Sequence, residues 1–361
     1  MKQKHILSSV RQTLRRLMMP PAVCLLALLA ASCSDLTDDD DAATLPDGKY
    51  PITFAPTVEG LTATRAATAD GQWSSGDAVA VQVVVAGSAS EVKQYTPAGS
   101  GGSGVTLQAA SGVTPFYWQK SDETKRVSAW YLGDGSAAFG QSHAGALPTS
   151  WAVQSDQNAS NGTGYQRSDF LYAPATDISF CGRSTTSLSF YHQTARVIVN
   201  IVNAEAATDA NTIQRVVIGD ANNLALSGSY SAPTGRGATA GTWNTSSGSP
   251  TMGTITPKKL TTPGTLAGSG TTALASYAAL AIPQQMKDKK FIAVSLTDGS
   301  SGSNTYYYTP TQDSDADLQS GKQHTYDITV KHGYLSVTSS ASPQWTGSGE
   351  TITGTEKNNN P

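Results

Sequence analysis

The sequence predicts an all-β protein, two β-sandwich domains in tandem behind a cleaved leader and a flexible tether. Three observations carry this prediction. Apolar residues recur with period two over many short runs, the signature of strands buried on one face. Gly-, Ser- and Thr-rich breakers such as GSGGSG (99–104), TGRGATAGT (234–242) and TTPGTLAGSGTT (261–272) separate those runs. Past the leader, no segment sustains the 3.6-residue period of an amphipathic helix. Charged residues make up only 14% of the chain, in keeping with many strands joined by tight turns.

The leader comes first. Lys2, Lys4, Arg11, Arg15 and Arg16 precede a ten-residue apolar core, Ala22–Ala31, and then small residues and a cysteine. That layout predicts a secretory signal peptide over residues 1–32. The apolar core is shorter than the ~20 residues that span a bilayer. Cutting between Ser32 and Cys33 frees a cysteine whose thiol takes a diacylglyceryl group and whose new amine is acylated. Several chains at about 0.8 kcal/mol per buried CH₂ hold a protein to a membrane almost permanently. The predicted product is a lipoprotein of the outer membrane, anchored through Cys33 and exposed at the cell surface.

Residues 33–49 follow as an acidic tether, polar and without periodicity. The run Asp38–Asp41 directly after the lipidated cysteine resembles the export signal of surface lipoproteins in some Gram-negative anaerobes. A first domain is predicted over 50–185. It starts with the strand PITFAPTV (51–58), in which Ile52, Phe54 and Val58 face one way and Thr53 and Thr57 the other. Val79, Val81, Val83 and Val85 form one face of the next strand. The seam is expected in the polar stretch Cys181–Ser187, before a long apolar strand Leu188–Val202. A second domain is expected over 186–346, with ALASYAALA (273–281) read as a strand because it is short and runs into Ile282-Pro283. DSDADLQSG (313–321) is expected to hold one helical turn. The tail is 347–361, and within it the polar TEKNNNP (355–361) is expected to be disordered.

Charge and cysteine counts narrow the function classes. The leader holds five of the 24 basic residues and none of the 27 acidic ones, so the mature chain is clearly acidic. No nucleic-acid partner is expected. With Cys24 lost and Cys33 lipidated, Cys181 stands alone, which excludes an intramolecular disulfide and a Cys-based zinc site. His143, His192, His324 and His332 are scattered without metal-ligand spacing, and neither a nucleophile elbow nor a phosphate-binding loop is present. Asp313, Asp315 and Asp317 open like a calcium loop but lack its sixth-position glycine and twelfth-position glutamate. His192 reads as a core or seam residue. No enzymatic activity, metal or cofactor is expected.

Five motifs, in order, resemble the fimbrillin family, the subunits and accessory proteins of type V pili. They are TRAATADGQWSSGDAVAV (64–81), SDFLYAPA (168–175), LSFYHQTARVIVNI (188–201), ALAIPQQ (279–285) and LQSGKQHTYDITV (318–330), with Trp345 near the end. His324 stands where an aromatic is common in the last motif. The resemblance implies two transthyretin-like β-sandwich domains. It also implies a mechanism: a trypsin-like surface protease cuts after an arginine, the first strand leaves with its lipid, and a strand from the next subunit fills the groove. Here the candidate cut is Arg65-Ala66, and the exchanged strand carries Ile52, Phe54 and Val58. Tyr334–Thr338 and Trp345–Ile352 are candidate donated strands. The implied partners are other pilus subunits, the outer membrane through the lipid, and a host or bacterial surface ligand. A competing reading is a monomeric glycan-binding lipoprotein whose Trp118, Trp130, Trp151 and Trp243 form a stacking platform.

Overall fold

The computed structural model describes residues 44–59, 72–85, 90–101, 104–133, 146–159, 163–202, 206, 210–266, 269–297, 303–342 and 345, and the backbone of 350–359. Ser32, Cys33, Arg65 and Ala66, the sites expected for lipidation and cleavage, lie outside the described residues, as does the acidic run Asp38–Asp41.

The first unit contains β1 (Thr53–Val58), β2 (Val79–Val85), β3 (Glu91–Pro97), β4 (Leu107–Ala109), β5 (Thr124–Tyr131), β6 (Ser150–Ala152), a short helix α1 (Thr163–Arg167), β7 (Leu171–Ser179) and β8 (Thr185–His192). The order β1-β4-β3-β2-β5-β7-β8 closes into a barrel. The first unit was expected to be an open sandwich. It closes because β7 pairs with β5 along its length and with β8 at its start, while β1 bridges β8 to β4. Inside, Phe54, Trp73, Tyr95, Tyr131, Leu188 and Phe190 form a dry core. Val79, Val81 and Val83 face it together, as their period-two spacing requires. The tether ends earlier than expected. Leu45 is buried in this core and its N–H donates to the Gln119 carbonyl at 2.7 Å, so residues from Thr44 onward belong to the barrel.

The second unit contains β9 (Ala195–Ile201), β10 (Ile213–Ile218), β11 (Leu224–Ala225), β12 (Ser227–Ser231), β13 (Thr242–Asn244), β14 (Met252–Gly253), β15 (Lys258–Lys259), β16 (Ala275–Ala281), β17 (Ile292–Thr297), β18 (Ser303–Tyr308), the helical turn α2 (Asp313–Ala316), β19 (Gln323–Lys331), β20 (Tyr334–Ser342) and β21 (Glu350–Asn359). A six-stranded sheet, β15-β16-β9-β19-β20-β21, and a three-stranded sheet, β10-β17-β18, enclose one core. The strand expected within 273–281 and the helical turn expected within 313–321 are both found, at Ala275–Ala281 and Asp313–Ala316.

Three expectations need correction. The run Leu188–Val202 is two strands rather than one, because Gln193 and Thr194 interrupt it. β8 pairs with β1 and β7 in the first sheet, and β9 pairs with β16 and β19 in the second. The seam therefore falls at Gln193–Thr194, not at Cys181–Ser187. The tail is not unstructured throughout, since Glu350–Asn359 pairs antiparallel with β20. Finally, Tyr334–Thr338 is no free donor. It lies within β20 between β19 and β21, with Leu335 and Val337 in the core.

The seam is polar and densely bonded. Gln193 is fully buried; its N–H donates to Phe170 O at 2.7 Å and its Nε2 to Tyr191 O and Thr239 O. Its Oε1 accepts from Tyr230 Oη and Gly241 N, and its carbonyl accepts from Trp243 Nε1. β6, which precedes the seam in sequence, pairs with β12 beyond it and ties the two units further.

Phe54 is the deepest β1 side chain, with no exposed surface and an edge-on contact to Tyr95 at 5.4 Å. Replacing it with Ala is expected to lower stability by about 3–5 kcal/mol, because the barrel cannot collapse around the void. Urea unfolding of the F54A variant measures this, and a loss under ~1 kcal/mol would show that β1 is not packed as described.

Candidate assembly site

Backbone alternation makes β1 a strand held mainly from one side. In a strand, successive residues send their N–H and C=O to opposite neighbours. β1 runs parallel to β8 in a ladder from Thr53↔Thr185 to Val58↔Phe190, and Glu59 N–H donates to Phe190 O at 2.8 Å. Residues 53, 55, 57 and 59 therefore bond toward β8, and 54, 56 and 58 turn toward β4. Pro56 has no N–H, and its missing donor falls on the β4 side. The ladder to β4 accordingly consists of the single pair Phe54↔Leu107. Just upstream, Ile52 N–H donates to Phe116 O, and Trp118 N–H to Tyr50 O.

Of the side chains expected to mark this strand, Ile52 and Phe54 are buried in the barrel core and Val58 is half-buried against it. Pro56, not singled out from sequence, is also buried. Its position in a run of alternating apolar residues was the available signal. At about 1.5–3 kcal/mol per large apolar side chain, uncovering the contacts of Ile52 and Phe54 amounts to about 3–6 kcal/mol.

The chain is fixed on both sides of the 60–71 connection that holds Arg65 and Ala66. Upstream, β1 is tied to β8. Downstream, Trp73 is buried, edge-on to Tyr131 at 5.6 Å and to Phe190 at 5.2 Å, and its backbone exchanges two hydrogen bonds with Gly101. A tight turn then runs from Ser74 to Asp77. Ser74 N–H donates to Asp77 Oδ2 at 2.8 Å, and Tyr131 Oη donates to Oδ1 at 3.1 Å. Burial raises the Asp77 carboxyl to a pKa of about 6, only partly countered by those two donors, and the Asp169 charge adds to the rise.

Among the described residues, one base-like pair is found, and it is closed off. His192 Nδ1 and Asp169 Oδ1 are 2.7 Å apart, a base-like pair, but both side chains are sealed and Trp345 stacks on the imidazole at a centroid distance of 3.4 Å. No substrate can reach it. Burial holds the His324 pKa down at about 4. Among the described residues, no cluster of three or more His, Cys, Asp or Glu is arranged to hold a metal ion, and no helix is long and apolar enough to cross a membrane. The proposed aromatic platform does not form. Trp118 is 2% and Trp130 1% exposed, while Trp151 and Trp243 pack into the seam with Phe170 and Tyr230.

Comparison with known proteins points the same way. The fimbrillin-like family model matches residues 64–345. No curated protein matches at a significant level. Among solved structures, a candidate cell adhesion protein from Bacteroides ovatus is similar at 18% identity and TM-score 0.54, over 81% of this chain and 96% of that one. A second, from Bacteroides uniformis, has 17% identity and TM-score 0.52, over 86% of this chain and 100% of that one. At these identities the likeness concerns the fold.

The Asp77 turn yields a pH test. Its carboxyl has a higher pKa folded than unfolded, so the native state binds the extra proton between about pH 4 and 6. This residue's contribution is therefore most favourable below the unfolded value and is lost as pH rises through 6. Asp77→Asn removes the dependence while keeping an acceptor for Tyr131. Relative to the wild type, the variant is expected to gain about 2–3 kcal/mol between pH 4 and pH 7. Paired urea titrations at the two pH values measure it, and parallel curves would contradict the burial of this carboxylate.

Proposed function

The chain belongs to the fimbrillin-like family, and from that premise we propose that it is a structural and adhesive subunit of a type V pilus, assembled by strand exchange. Its two β units are read as the family's two transthyretin-like domains. On this reading the precursor is anchored to the outer membrane through Cys33 and carried to the cell surface. A trypsin-like surface protease cuts between Arg65 and Ala66. The lipid, the tether and β1 leave together, and a strand from a neighbouring subunit takes the vacated slot.

One observation carries the reading. β1 is a complete strand that closes the barrel, yet it is laddered along its length to β8 alone and meets β4 at one pair. Its removal strips the ladder from one edge of β8 and uncovers the surfaces that Ile52 and Phe54 fill. An incoming strand with apolar residues at alternate positions repairs both losses by β-augmentation. The anchoring of Trp73 and Asp77 keeps the new N-terminal segment attached to the barrel after the cut.

The donating end differs in quality. β21 is the chain's last strand and an edge of the six-stranded sheet, so it can leave without breaking that sheet in two. In ETITGTEKNN, however, Ile352 is the one large apolar residue, too few to refill both deep positions. The chain thus accepts a strand better than it donates one, which suits a place at an end of the fibre.

N-terminal sequencing of protein sheared from fibres is expected to read from Ala66. The Arg65→Ala variant should stay at its Cys33 terminus in the membrane fraction, with fibre-associated protein reduced about tenfold or more. Fibres containing this subunit with β1 still attached would overturn the exchange mechanism.

A further inference from the structure

β8 has a second edge. β7 and β8 are consecutive antiparallel strands, but they pair only at Leu171↔His192 and Tyr172↔Tyr191. Beyond that point they part. Pro174 supplies no N–H to a ladder there, and the register of β7 against β5 shifts between the Val127↔Thr176 and Ala129↔Ala173 pairs. The parted strands wall a cleft of about 800 Å³, with Ala173–Asp177 on one side, Ser187–Ser189 and Tyr191 on the other, and the loop 233–239 above.

The alternation that turns Phe190 O toward β1 turns the backbone groups of Ser187 and Ser189 into this cleft. Among the described residues, Ser187 and Ser189 have no ladder partner in β7. The cleft is built rather than incidental. Its roof loop is clamped to the seam by buried Gln193, through Nε2 to Thr239 O at 3.0 Å and Oε1 from Gly241 N at 2.8 Å. Gly241 has to be glycine, since a Cβ would sit 2.4 Å from the Tyr230 ring. A turn closed by Ala238 N–H to Gly235 O, with Gly237 at φ 76°, presents Arg236 at its apex. Arg126 in the wall is matched by Asp177 at 3.0 Å, whereas exposed Arg236 has no carboxylate partner among the described residues.

We propose that this cleft binds an extended peptide segment of a partner protein, which adds to the free edge of β8 and places one acidic side chain against Arg236. Unpaired backbone groups in a wall select a peptide, since they give main-chain hydrogen bonds. Pro174 and Ala238 offer shallow apolar seats for alternate side chains. Arg236 on the roof loop favours an acidic residue at the end of the segment nearest it. The site is complete with β1 in place and stands apart from strand exchange.

The test uses the full chain, uncut, and a pool of fluorescein-labelled hexapeptides in which Thr and Val alternate and a single Glu is moved along the sequence. Fluorescence anisotropy should show saturable binding for peptides with Glu at one end, weakened about tenfold by Arg236→Ala, as expected for one lost ion pair. Bound peptide should also slow amide hydrogen exchange at Ser187 and Ser189 by about tenfold or more, a readout that needs no variant. The proposal is overturned by binding that ignores Arg236→Ala, by unchanged exchange at those two amides, or by an absence of binding across the pool. Binding of polygalacturonate oligosaccharides in place of the peptides also overturns it and assigns the cleft to acidic sugars.

Discussion

The first barrel depends on how a strand divides its backbone hydrogen bonds between two neighbours. β1 sends alternate residues toward β8 and toward β4, and Pro56 removes a donor on the β4 side. One residue thus makes the barrel's closure asymmetric, with a continuous ladder on one edge and a single pair on the other. The apolar side chains compensate. Ile52, Phe54 and Pro56 bury what the weak ladder leaves loose, so β1 is held by packing on its inner face and by hydrogen bonds on one edge. A strand held this way can be replaced by any other that reproduces the packing, because its hydrogen bonds carry no sequence information.

The seam works on the opposite terms. Gln193 satisfies its side chain and both backbone groups across two units, and a buried side chain bonded on both sides fixes the local geometry. Asp169 and His192 lie beside it, sealed under Trp345, which packs on the outer face of the second sheet with Tyr165, Ile198 and Leu280. None of these contacts passes through β1. A change at β1 therefore leaves the joint between the units intact.

Much of this was legible in the sequence where packing sets a period. The inward faces of β1 and β2 follow from alternation alone, since a buried face admits no slip of one residue. The strand boundary at Gln193–Thr194 was harder. Two polar residues inside an apolar run look like a tolerated interruption when both sides continue with period two, and only the pairing partners show that the sheets differ. The tail failed for a different reason: TEKNNN has poor strand propensity, but an edge strand needs only backbone groups and a neighbour with a free side, which β20 supplies. The cleft between β7 and β8 depended on pairing that does not occur, and of its causes only Pro174 was visible in advance.

β8 is the element on which both proposals converge. Its even-numbered residues Leu188 and Phe190 turn their side chains into the core and their backbone groups toward β1; its odd-numbered residues Ser187 and Ser189 turn their backbone groups toward the cleft. The two edges are chemically independent because a strand's hydrogen-bonding sides do not share donors or acceptors. They are mechanically coupled only through the strand's position, and that is fixed at its C-terminal end by His192 and Gln193. On the proposed reading, one neighbour of β8 is exchanged during assembly while the other edge keeps its shape, so that a binding surface formed before polymerisation survives it.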